Sequence, residues 1–305
     1  MAVRPGARAL TPHPPPELVL ARDHLGPALA SAVRTGTLER VARGAYLLRT
    51  PERDPCDIAL ARIAATHRRL QVPHWFSHES AALLWGWPLW QTPSHTHVYT
   101  TARTGAGGDP LVRRHRGQVP DGLTTQVNGL PLTTGALTAA DCLRTLPPLD
   151  AMVVLDAALR CGVDRNDICA ILEAAVGRGV RWARLRLAHG DGGAESARET
   201  ATRLALLRAG APTPQTQVRV DTASGTYWAD LGIVEWRLLI EYDGRAKYTC
   251  PDDIYTEKLR QDAITAAGYR MIRATARTPL DTVATHALTY APPGFHPICR
   301  PELNA

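Results

Sequence analysis

The segment YWADLGIVEWRLLIEYDGRAKY, residues 227–248, reads as two apolar strands joined by the short connection VEWR, yet it carries Asp230, Glu241 and Asp243. Burying an unpaired carboxylate is costly, so strand interiors normally avoid one. Residues two apart on a strand share a face, which puts Glu241 and Asp243 together at the C-terminal end of the second strand. A hairpin over VEWR would set Asp230 beside Glu241. Three carboxylates at one point repel each other unless a cation lies among them, and an all-oxygen donor set suits Mg2+ or Mn2+.

The flanks fill out a six-element unit. DGGAESARETATRLALLRAGA has Leu204, Leu207 and Ala211 at helical spacing, with Gly210 as the stop. PQTQVRVDT reads as a strand, SGT as a turn, YWADLGIVEW and RLLIEYDG as two more strands, PDDIYTEKLRQDAITAAG as a helix and YRMIRAT as a last strand. The order is α-β-β-β-α-β.

That order and the D…ExDG pattern resemble the PD-(D/E)XK nuclease superfamily, and in particular its branch of Vsr-like (very-short-patch repair) endonucleases. The shared features are Ser196 and Glu199 as SxxE, AGAPTPQTQ, Asp230, EYDG, RQDAITAAG and YRMIR, in order and without large gaps over about a quarter of the chain. The resemblance implies phosphodiester hydrolysis with Mg2+ (or Mn2+), Asp230 and Glu241 as main metal ligands and Glu199 as a contributor from the first helix. Asp243 stands where many members carry a Lys. The positive charge must then come from Lys247, Lys258, Arg260 or Arg245. Relatives often place a His after the DG turn, and RAKY has none here, which favours a rival: a non-catalytic, antitoxin-like regulator that keeps the nuclease fold. An RNA-directed nuclease is a further alternative, since nothing in the sequence separates DNA from RNA.

Towards the N-terminus, GPALASAVRTG reads as a helix between Pro27 and Gly36. TLERVARGAYLL reads as a β-hairpin turning at Gly44, with Leu38, Arg40 and Ala42 alternating against Glu39, Val41 and Arg43. A helix followed by such a hairpin is the layout of a winged helix-turn-helix. Residues 1–49 hold seven Arg against three acids, and Arg34, Arg40 and Arg43 sit where such a module meets phosphate. This part and SHESAALLWGWPL and GLPLTTGALTAADCL further on resemble AbiEi-like antitoxins and related regulators. The resemblance implies DNA as a partner and a cognate toxin or defence protein as another.

The expected architecture is therefore α+β and multi-domain: a lead-in over 1–16, a winged helix over 17–50, a middle α/β region over 51–190, a restriction-endonuclease-like domain over 191–290 and a tail over 291–305. In the middle region, SHES reads as a helix N-cap and TARTGAGGDPLVRRHRG as a Gly-rich loop running into the basic cluster Arg113, Arg114, His115 and Arg116. That cluster reads as a solvated loop, with phosphate contact as the alternative. Among His67, His74, His78, His95, His97 and His115, His95 and His97 would share one face of a strand. No spacing fixes a third ligand, so packing or surface histidine is the better reading.

Composition bounds the rest. The chain has 305 residues, 45% apolar and with net charge +6. The basic residues comprise 33 Arg and two Lys, Lys247 and Lys258. The six cysteines form no CxxC pair and read as free thiols of a reducing compartment. With no apolar run of membrane length and no signal-like start, a cytoplasmic protein is expected.

Overall fold

The computed structural model describes residues 9–24, 26–102, 109–242 and 255–304 in full, and the backbone alone for 243 and 251–254. In chain order the elements are β1 (Val19–Leu20), α1 (Gly26–Arg34), β2 (Leu38–Ala42), β3 (Ala45–Leu48), α2 (Pro55–Arg69), β4 (Trp75–Phe76), α3 (His78–Leu84), β5 (Thr96–Thr100), β6 (Val112–Arg116), β7 (Thr124–Val127) and β8 (Leu130–Thr133). Then come α4 (Gly135–Thr145), α5 (Pro148–Arg160), α6 (Arg165–Ala174), α7 (Val180–Leu187), α8 (Ala197–Arg208), β9 (Gln215–Thr222), β10 (Gly225–Ile233), β11 (Leu238–Asp243), α9 (Pro251–Ala266), β12 (Arg270–Thr275) and α10 (Leu280–Leu288). The class is α+β, and the chain divides into two compact units. An N-terminal unit holds Leu10–Thr145 and Val163–Val180, and a C-terminal unit holds Leu146–Gly162 and Arg181–Ala305. No described helix is long and apolar enough to cross a membrane.

In the N-terminal unit, β1, β3 and β2 form a small antiparallel sheet, turned at Gly44, whose φ of +73° suits glycine. The even alternation expected for LERVAR is interrupted: the register shifts between Arg40 and Ala42, so Leu38 and Val41 both point inward. This bulge sends Arg40 to solvent while Val41, Ala45 and Leu47 pack on Ala61 and Ala65 of α2. ELVLARD, residues 17–23, holds strand β1 and a single 3-10 turn, Ala21–Asp23. A second sheet runs β6-β5-β4-β8-β7. The β5–β6 and β4–β8 pairs are parallel and the β4–β5 and β7–β8 pairs antiparallel. Phe76, Val98 and Leu132 pack from it against Leu60, Ile63 and Leu84. Residues 112–116, expected as loop, are the edge strand β6. Charged residues suit an edge strand exposed along one side.

The C-terminal unit holds the order α8-β9-β10-β11-α9-β12 around the sheet β12-β11-β10-β9. Only β11–β12 is parallel, with α9 as the crossover. One apolar cluster joins Leu231, Leu238, Ile240 and Ile272 to Leu206 of α8 and Val283 of α10. Another joins Val218, Val220, Ala229 and Leu239 to Ile264 of α9. The sheet is thus covered on both faces. Helix α8 stops where Gly210 takes φ +86°. Gly210 N–H donates to Leu207 O and Ala211 N–H to Leu206 O, the paired bonds of a Schellman cap. Helix α5 counts with this unit, as do residues 181–190, although the sequence puts both in a middle region. The reason lies in Asp156: its carboxylate takes both contacts from Arg203 NH2, at 2.9 and 2.7 Å, one from Thr200 Oγ1 at 2.9 Å and one from Asp191 N–H at 2.7 Å.

Candidate functional site

The first carboxylate is positioned by a helix start. Ser196 is the N-cap of α8 and accepts from Glu199 N–H at 3.2 Å. The Glu199 carboxylate in turn accepts from Ser196 Oγ at 2.9 Å and from Glu195 N–H at 2.7 Å. This is a variant of the capping box, in which Glu199 reaches back to the N–H before the cap rather than to that of Ser196, and it explains SxxE by local physics. It also leaves Glu199 buried, and burial, with Asp230 adding like charge, pushes its carboxyl up to about 7.

The second and third come from the hairpin. Leu231 and Ile240 are register partners, so Asp230 and Glu241 stand at the next step, where the ladder opens. There Asp230 Oδ2 accepts from Tyr242 N–H at 2.8 Å in place of a backbone partner. Glu241 is buried on the α9 side of β11, and burial raises its carboxyl while Arg260 acts the other way. Arg260 of α9 forks this carboxylate: NH1 donates to Oε2 at 3.2 Å and NH2 lies closer still to Oε1. Arg260 is further held by Glu257 at 3.4 Å and by Trp228 O at 3.1 Å, and Arg273 pairs with Glu257. Asp230 of β10 therefore lies within electrostatic reach of both Glu199 of α8 and Glu241 of β11, and Arg260 is the cation paired with Glu241; among the described residues the oxygens of the three carboxylates do not gather within 4.8 Å.

Of the remaining predicted residues, Lys258 is exposed on α9 and stands outside this network. Asp243 is the last residue of β11, opposite Thr275; its side chain, Lys247 and Arg245 lie outside the described residues. Sequence reasoning missed Gln217. It sits on β9 at the step where the β9–β10 register is interrupted opposite Asp230, with φ +50°. It is 9% exposed, and both its amide oxygen and nitrogen lack a partner. Gln217 thus stands across from Asp230 with a buried amide that meets no other described protein group. Gln217 closes the motif AGAPTPQTQ, which was the available signal.

The predicted basic residues divide. Arg40, Arg43 and Arg114 line one cleft of about 980 Å3 in the N-terminal unit, together with Arg22, Arg62, Arg68 and Arg69. The single carboxylate among its lining residues, Asp109, is paired with Arg69 at 2.7 Å. Arg34 is exposed at the end of α1, and Arg113 and Arg116 are exposed on β6; these three do not line the cleft.

The histidines divide. His95, just before β5, bonds Ser94 at 2.7 Å. His78, His97 and His115 gather, with one ligand atom from each lying within 4.8 Å of the others. Ser77 does occupy the N-cap position of α3, but its side chain caps nothing and meets His78 Nδ1 at 2.9 Å.

No family model matches the chain. Two proteins of Mycobacterium tuberculosis, the uncharacterized proteins MT2308 and Rv2248, are each 29% identical to it over 245 residues, 79% of this chain and 86% of theirs. The crystal structure of the RV2827C protein from the same organism covers 58% of this chain and 73% of its own, at 17% identity and a TM-score of 0.39.

Proposed function

We propose that the chain binds DNA through its N-terminal unit and that its C-terminal unit is a Mg2+- or Mn2+-dependent nuclease of the PD-(D/E)XK kind. The observation that carries this reading is Asp230 standing within electrostatic reach of both Glu199 and Glu241, three acids from separate elements of an α-β-β-β-α-β unit. Packing alone gives no reason to bring like charges together at a strand opening. The donor set fits a hard divalent cation, because it is all oxygen, and the unpaired Gln217 amide beside it fits a polar occupant. Asp230 and Glu241 would hold the ion, with Glu199 behind them. When bound, such an ion supplies charge neutralisation at a phosphoryl oxygen and acidifies a water.

The chain's own groups supply the rest. Arg260 presents a guanidinium fork that matches phosphate as well as carboxylate. Released from Glu241, it is placed to stabilise charge building on a phosphate. Glu199 holds a proton below about pH 7, and so relieves the repulsion among the three acids until a cation arrives. The arginine-lined cleft is the electrostatic footprint of a polyanion. The α1–β2–β3 segment, read as a winged helix-turn-helix, would carry DNA across it. By resemblance to AbiEi-like antitoxins, a cognate toxin or defence protein is the further partner.

The Arg260–Glu241 pair favours a second reading, in which the arginine replaces the cation for good and the unit serves as a non-catalytic regulator's scaffold. Labelled duplex DNA, single-stranded DNA and RNA incubated with Mg2+ or Mn2+ separate the two. The nuclease reading expects cleavage that is lost in Asp230→Ala and in Glu241→Ala. Absence of cleavage on all three substrates, with DNA binding retained, supports the regulator.

A further inference from the structure

We propose that His78, His97 and His115 form a binding site for a transition-metal dication, with Zn2+ the best match, inside the N-terminal unit. This site is separate from the carboxylate cluster and calls for different chemistry: three imidazole nitrogens select Zn2+ and its neighbours over Mg2+.

The site is assembled from three elements. His97 on β5 and His115 on β6 belong to adjacent parallel strands, and His97 Nδ1 lies 3.0 Å from His115 Nε2. That spacing is close to what two nitrogens on one tetrahedral zinc require, since each Zn–N bond is about 2.0–2.1 Å. His78 enters from the start of α3 and stacks on His115, with ring centroids 3.9 Å apart and planes 14° apart. Closing on a single ion asks these two stacked rings to turn their lone pairs towards a common point.

The surroundings match what ligating histidines have around them. A ligating imidazole usually has its other nitrogen held by an oxygen group. His97 Nε2 faces Glu79 Oε2 at 3.4 Å. His78 Nδ1 meets Ser77 Oγ and lies 3.9 Å from Asp141 Oδ2. These contacts turn His97 Nδ1 and His78 Nε2 inward. In neutral rings the proton between His97 and His115 has an outer alternative, on His97 Nε2 facing Glu79. The backbone is committed as well: His97 N–H donates to Ser80 Oγ at 2.9 Å and Ser77 N–H to His97 O at 3.1 Å. His78 takes φ +52°, an uncommon value for a non-glycine residue. Access is from the His97 side, where the side chains of His97 and Glu79 are 12% and 21% exposed. Three protein ligands and an entry path leave a fourth position for water or for a ligand, the pattern of reactive rather than closed structural zinc sites.

The test uses the full-length protein, stripped by dialysis against EDTA and titrated with Zn2+ and separately with Co2+. About one equivalent of Zn2+ is expected per chain, with a Co2+ complex showing visible ligand-field bands and no thiolate charge-transfer band. His97→Gln and His115→Gln should each weaken Zn2+ binding by more than about 100-fold, beyond the 10–100-fold that loss of an outer-shell partner costs. His95→Gln should leave it unchanged. Stripped wild type that takes up no Zn2+, a thiolate signature with Co2+, or affinity indifferent to both histidine substitutions would overturn the assignment. The Co2+ spectrum of wild type decides even where a variant fails to fold.

Discussion

Glu199 does two things at once, and they pull apart. In the first turn of α8, behind the Ser196 cap, it accepts two hydrogen bonds, and as a buried neighbour of Asp230 its carboxyl is held up to about 7. A carboxyl raised above its unfolded value of about 4.3 binds its proton more tightly in the folded state. Its stabilising contribution is therefore complete below about pH 4.5 and is lost as pH rises towards 7. Denaturant unfolding in EDTA should show wild type losing on the order of 2–3 kcal/mol more than Glu199→Gln between pH 4.5 and pH 7. Added Mg2+ should shrink that difference if a cation binds beside it. Equal pH slopes for the two proteins would mean that Glu199 is an ordinary capping residue. Gln217 poses the complementary case. Its amide has no partner and its φ of +50° favours glycine, so Gln217→Gly should not lower the melting temperature, yet should reduce cleavage at least tenfold. A fall of several degrees in melting temperature would instead give Gln217 a structural role.

Among the elements, the pin between α5 and α8 matters most. Arg203 and Asp156 are each about 1% exposed and joined by two contacts. Removing one partner strands a buried charge, so Asp156→Ala should cost about 3–5 kcal/mol by denaturant unfolding; a loss below about 1 kcal/mol would contradict the pairing. Neither partner announces the other in the sequence, and that is why α5 reads as part of a middle region. The six elements from α8 to β12 are legible because each carries a local signal: helical spacing closed by Gly210, strands parted by SGT, and a helix ended at Gly268. Strand β6 is not, since VRRHR has no apolar alternation and owes its strand to pairing with β5. The histidine cluster is hidden for the same reason. It depends on β5 lying beside β6 and on where α3 begins, neither of which is written in spacing. The carboxylate cluster is legible because a short hairpin fixes Asp230 against Glu241, although Arg260's grip on Glu241 is not.

Over the whole molecule, the surplus of six positive charges says less than its placement, since seven arginines line one cleft of the N-terminal unit. Each phosphate contact contributes about 0.9 to the slope of log affinity against log salt. Arg40→Ala with Arg43→Ala should therefore reduce that slope for duplex DNA by roughly two, whereas Arg34→Ala, outside the cleft, should leave it in place. An unchanged slope in the double variant would remove the cleft from the DNA interface. The account rests in the end on a divalent ion among Asp230, Glu241 and Glu199. A crystal soaked with Mn2+ and measured for anomalous scattering tests this most directly. The expected result is a peak between the Asp230 and Glu241 carboxylates, with Arg260 moved off Glu241. An intact Arg260–Glu241 pair with no peak there, at Mn2+ concentrations that fill other sites, would contradict it.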